Sequence, residues 1–262
     1  MSIYQFDKER ARREQARKDA EREQPSEPPI FNLPTVIVWL GGVMVAIHLL
    51  RSLVLPGGWD NLVLYLFAFW PVKYAAFSSL TPVEVASSIW GFVSYGFLHG
   101  SAMHIIFNLL WMAIFGTAVA RRFGAGRFLV FSALCAVGGA LAHLATNWGD
   151  TAPMVGASAA ISGQMAAALR FVFELGGPLG AFRSSDRRAY LVPAQPLSEC
   201  LRNQQVLVFV GVWFGLNLLF GLMSGPLAGQ PASVAWQAHI GGFVAGLALF
   251  PFLDPVPQRR LH

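Results

Sequence analysis

The most constraining feature of this chain is a series of apolar runs, nearly free of charge, each about as long as a bilayer is thick. The stretch FLVFSALCAVGGALAHLA, residues 128–145, is typical. A helix needs about 20 such residues to cross the hydrocarbon core. Six segments qualify: 34–55, 102–120, 126–147, 155–174, 205–224 and 234–254. The runs are too long and unbroken for short strands, which excludes sheet-rich and dinucleotide-binding α/β readings. Only 13% of the 262 residues are charged, against about a quarter in soluble domains. The expectation is an all-α integral membrane protein of six transmembrane helices. Its 26 glycines suit such a bundle, because helices in lipid associate through small residues and polar contacts.

A seventh apolar stretch, 61–80, carries Pro71 and Lys73 in its middle and is rich in aromatics. It reads as an interfacial or re-entrant piece of a long membrane-associated first loop, 56–99. Residues 1–30 form a charged tail and linker ending in PSEPP, 31–255 the membrane domain, and 256–262 a short C-terminal tail. The first apolar run is too long for a cleaved leader and is expected to remain as an anchor.

Charge placement sets orientation. Seven Lys and Arg lie in the N-terminal tail, three follow the second span (Arg121, Arg122, Arg127), and a further group lies near the 175–204 loop. Arg259 and Arg260 close the chain, leaving only Arg51 and Lys73 for the opposite side. The positive-inside rule then puts both termini in the cytoplasm; the six-span build without a targeting peptide suits a bacterial inner membrane, with a eukaryotic membrane the alternative. The net charge of +5 is thereby a topology and lipid-headgroup signal, and no nucleic-acid partner is expected. Cys135 and Cys200 suggest no disulfide framework, and neither a metal nor a cofactor is expected.

Polar side chains inside spans are costly and mark function by default. In HGSAMHIIFN, residues 99–108, His104 and Asn108 are four apart and share a helix face, with His99 a turn further out. In MVGASAAISG, residues 154–163, Ser158 follows Gly156 and is flanked by alanines at the start of a span. Small neighbours admit a substrate backbone, and a helix N-terminus offers unpaired N–H groups to an oxyanion. Ser162, a turn on, is a weaker candidate. In WQAHIGGFVAG, residues 236–246, His239 precedes Gly242 and Gly246, a spacing for close helix approach. If the neighbouring helix carries Ser158, His239 can take its proton.

These motifs, in this order, resemble the rhomboid family of intramembrane serine proteases over residues 34–254. The family's His-x-x-x-Asn resembles His104 and Asn108, its Gly-x-Ser resembles Gly156-Ala157-Ser158, and its Ala-His-x-x-Gly-x-x-x-Gly resembles Ala238, His239, Gly242 and Gly246. The resemblance implies a six-helix rhomboid-like bundle and a Ser–His dyad lacking a carboxylate. Ser158 would be the nucleophile, His239 the general base, and His104, Asn108 and the Ser158 N–H the oxyanion hole; Gly156, Gly242, Gly246 and His99 would support them. The implied partners are the lipid bilayer and transmembrane protein substrates, cut through an acyl-enzyme. The chain departs from the pattern in three places. Trp90-Gly91 stands for the family's Trp-Arg, Ala159 for a glycine, and Ser162 for an aromatic that stacks on the base; Ser162 is a possible hydrogen-bonding substitute.

Such chemistry needs water, which calls for a cavity open to the non-cytoplasmic side between spans two, four, five and six. The loop 225–233 is a candidate cap. The aromatics Phe209, Trp213, Phe214 and Phe220 make span five a candidate lateral gate, with lipid-facing bulk the alternative. His48 and His143 are expected to be dispensable. Two rivals stand beside the protease: a catalytically inactive relative that binds membrane clients, and a transporter, against which the scarcity of carboxylates in the spans speaks.

Overall fold

A computed structural model describes residues 33–174, 177, 187–223 and 235–257. The charged tail, the 225–233 loop, the end of the C-terminal tail and the side chain of Phe220 lie outside the described residues.

Among the described residues four helices are long and apolar enough to cross a membrane. They are α1 (Thr35–Val54), α5 (Ala102–Phe123), α6 (Ala125–Thr146) and α10 (Trp236–Leu253). Between α1 and α5 lie α2 (Gly57–Phe67), the short α3 (Pro71–Ala75) and α4 (Pro82–Ser94). After α6 come α7 (Ser158–Ala168), a single turn α8 (Leu197–Cys200) and α9 (Gln204–Met223). Among the described residues the one β-bridge is antiparallel, between Phe69 and Met154.

The expected span over 155–174 is a shorter helix. α7 has 11 residues, about 16 Å of rise, and cannot cross 30 Å of hydrocarbon. It has no need to, because Ala159 and every residue from Ile161 to Ala168 are buried by neighbouring helices. Irregular backbone at its ends is therefore lined by protein rather than lipid. α1 is the opposite case, burying only Ile37 and Met44.

Glycine makes the encasement of α7 possible. A Cβ on Gly246 would come 2.5 Å from the Gly163 carbonyl oxygen, and one on Gly242 would overlap the Ala159 carbonyl. The glycine spacing of α10 therefore packs directly on the α7 backbone, as close-approach motifs do.

The 61–80 stretch breaks where Pro71 predicts, with Pro71 opening α3 as its first residue. Lys73 turns inward, its Nζ donating to the Tyr65 carbonyl (2.5 Å) and Ser87 Oγ (2.8 Å). Burial holds this ammonium below the usual lysine range. Gly91, where many members of the resembled family have arginine, leaves bracing of the loop to other groups. Trp90 Nε1–H donates to the Leu66 carbonyl (2.7 Å), the Ser94 hydroxyl to that of Phe67 (2.7 Å), and Arg51 pairs with Asp60 (2.7 Å).

Arg122, read from sequence as a topology charge, is instead a buried tie. Its guanidinium forks onto Asp254 at 2.7 and 2.9 Å and donates to the Tyr190 and Val192 carbonyls, both at 2.8 Å. Both cysteines are buried and free.

Candidate active site

The first loop aims the chain into α7. Phe69 exchanges backbone hydrogen bonds with Met154, and the Gly156 N–H donates to the Tyr95 carbonyl (3.0 Å). Tyr95 is itself pinned by its hydroxyl to the Ala136 carbonyl of α6 (2.9 Å). Gly156 has φ of +119°, which side chains rarely adopt. From there the chain turns into α7, whose first residue is Ser158, leaving the N–H groups of its first turn without intrahelical partners.

Ser158 and His239 meet. Ser158 Oγ lies 2.7 Å from His239 Nε2, across the α7–α10 contact that the glycines permit. Both residues are partly exposed. Ser162 does not hold the base. Its hydroxyl donates to the Ser158 carbonyl (2.7 Å), the back-bond a serine makes inside a helix.

His104 faces the same space. A Cβ on Gly156 would lie 2.5 Å from His104 Nε2 and 3.7 Å from Ser158 Oγ, so the imidazole rests against the backbone just before the serine. Its helix is started by Ser101, whose hydroxyl accepts from the His104 N–H (3.2 Å). Asn108 is buried on the same stripe and spends one amide N–H on the His104 carbonyl (2.8 Å). His99 is buried ahead of α5, its ring edge-on to that of His104 at 5.1 Å. Burial, with His104 and His48 nearby, pushes its imidazole down to about 4, so it is neutral at pH 7.

One residue at the site escapes the sequence reading. Asn217 Oδ1 on α9 hydrogen-bonds His239 Nδ1, on the side of the ring opposite Ser158. The signal is present in the chain, since an asparagine in the otherwise apolar run 206–223 is the kind of polar intrusion that marks function. The aromatics around it are the louder signal. Of these, Phe209 packs edge-on to Phe115 of α5, and Trp213 stacks on Phe243 of α10 at 5.3 Å.

Residues 86–254, which hold Ser158, His239, His104, Asn108, His99 and Asn217, match the model of the rhomboid domain. The chain belongs to the rhomboid family. It is 28% identical over 174 residues to a protein of Klebsiella pneumoniae subsp. pneumoniae named rhomboid protease GlpG, covering 65% of this chain and 50% of that protein. A Salmonella newport protein of the same name is 27% identical over 174 residues, 66% of this chain and 51% of the relative. The chain thus spans about half the length of these curated relatives. As a rhomboid with several bilayer-length apolar helices, it is a multi-pass membrane protein.

Proposed function

We propose that this rhomboid is an intramembrane serine endopeptidase that cleaves within or beside the transmembrane helices of other proteins. The observation that carries the reading is the 2.7 Å approach of Ser158 Oγ to His239 Nε2, in a partly exposed position at a helix N-terminus. In this mechanism His239 Nε2 takes the Ser158 proton as the oxygen attacks a substrate carbonyl. The tetrahedral oxyanion is met by the Ser158 N–H and by the His104 imidazole, with the free amide N–H of Asn108 behind it. His239 then returns the proton to the departing amine, giving an acyl-enzyme. Water, deprotonated by the same imidazole, releases the acid and restores the serine.

The six-span reading joins α1, α5, α6, α9 and α10 with the whole protein-lined segment 155–174, of which α7 is only the helical part, with 31–255 as the membrane domain and 1–30 and 256–262 as cytoplasmic tails in a bacterial inner membrane. The first loop and the dyad then face the non-cytoplasmic side. A helical carbonyl is already hydrogen-bonded, so the favoured substrates unwind easily there and carry Gly, Pro or small residues near the outer face. The test is co-reconstitution in liposomes with two model transmembrane helices, one with Gly-Pro near that face and one all leucine. Cleavage is expected of the first, at least tenfold faster than of the second. Binding of both without cleavage of either would favour the inactive client-binding relative.

A further inference from the structure

The His239 imidazole has two ring nitrogens, and only one can accept the serine proton in the neutral ring. Which one does is decided by the partner of the other. Asn217 supplies that partner, and its own amide is oriented by a second bond: Nδ2 donates to the Trp213 carbonyl (2.8 Å), so Oδ1 is the atom turned to the ring. An amide oxygen only accepts, so Nδ1 must carry the hydrogen. Nε2 is then left bare, 2.7 Å from Ser158 Oγ.

The helices are in register for this. Trp213 stacks on Phe243 at 5.3 Å, one turn from Asn217 and one turn from His239 on the antiparallel pair α9 and α10. Asn217–His239 is the next rung. Ser162 is engaged with the Ser158 carbonyl and contributes nothing to the ring. We infer that Asn217 is a positioning residue that fixes the tautomer and tilt of His239, so that serine, imidazole and amide form a Ser–His–Asn relay across α7, α10 and α9.

This inference rests on the protease reading, and the experiment separates the two. The rate of labelling by a fluorophosphonate in detergent reads the reactivity of Ser158 without a transmembrane substrate. Asn217→Ala and Asn217→Leu are expected to slow labelling about tenfold to a hundredfold, and to lower kcat on a model helix while KM stays within about twofold. Asn217→Asp, which keeps an acceptor oxygen in place, is expected to stay within about threefold of wild type. Wild-type rates in the Ala and Leu variants would overturn the inference, as would equal slowing in all three, which signals lost packing. Should the Asp variant fail to fold, nitrogen NMR of 15N-histidine protein decides, with the His239 signal identified by its loss in His239→Gln. Wild type should show Nδ1 protonated and Nε2 bare, and the Leu variant a mixture; a mixture already in wild type would contradict the proposal. If Ser158→Ala labels as well as wild type, the protease reading fails, and the NMR comparison still tests the Asn217–His239 bond.

Discussion

α7 and α9 each present one polar atom to His239, yet they are held in opposite ways. α7 is encased, with carbonyls against the glycines of α10 and its lead-in tied by backbone to Phe69 and Tyr95. α9 has a single fully buried side chain, Val206, among its described residues through Leu219, and meets α10 mainly through aromatic stacking and Asn217. The proposed nucleophile therefore sits on an encased helix, and the group proposed to orient the base on a sparsely buried one. On the proposed reading, serine placement is a property of the core, while the readiness of the base depends on where α9 lies.

The largest effect should come from the group both helices share. His239→Ala is expected to reduce cleavage on the order of 10³-fold or more, with thermal stability little changed. His143→Ala, which removes a ring packed edge-on to Phe69 at 6.5 Å, should keep most activity in the same assay. Equal losses would mean that histidines matter through folding alone.

Next come buried ties of the helical core. Asp254→Ala strands the Arg122 guanidinium where it has no solvent, and should cost roughly 3–5 kcal/mol in a reversible detergent unfolding measurement. The glycines then contrast the two helices directly. Gly242→Ala forces a Cβ into the Ala159 backbone and should cost roughly 1–3 kcal/mol. Gly215→Ala on α9 has open space within 4 Å and should be neutral or stabilising by up to about 1 kcal/mol, from helix propensity. Matching signs for the two would erase the proposed difference in packing.

The smallest effect concerns the loop that aims α7. Hydrogen bonds from Tyr65 and Thr81 pull the Glu84 carboxyl down to about 2 from 4.5. A carboxyl lowered in the fold adds stability above its unfolded value and loses it as pH falls between those two. Hydrogen-exchange protection in the first loop, corrected for the intrinsic pH dependence of exchange, should fall slightly from pH 5 to pH 3 in wild type, and not in Glu84→Gln.

Much of this is legible in the chain alone. The long spans are, because bilayer thickness sets their length. Ser158 and His239 are too, because each is a costly polar group in an apolar run, set among residues small enough to let another backbone approach. The brevity of α7 is not, since an apolar run does not reveal whether its neighbours are lipid or protein. Arg122 illustrates the same limit: a basic residue at a span's end is expected on topological grounds alone, and only the fold places Asp254, 132 residues away, within 2.7 Å. Ser162 has the right spacing to support the base, but in a helix interior its nearest acceptor is its own preceding turn. Asn217 needs the antiparallel register of α9 and α10, which no local pattern encodes.

Every step of the proposed chemistry begins with the Ser158 hydroxyl as the nucleophile. Labelling the purified protein with a fluorophosphonate, followed by peptide mapping, tests this most directly. One adduct is expected, on Ser158, absent from Ser158→Ala and sharply reduced in His239→Ala. Equal labelling of wild type and Ser158→Ala, or an adduct on Ser162 instead, would contradict it.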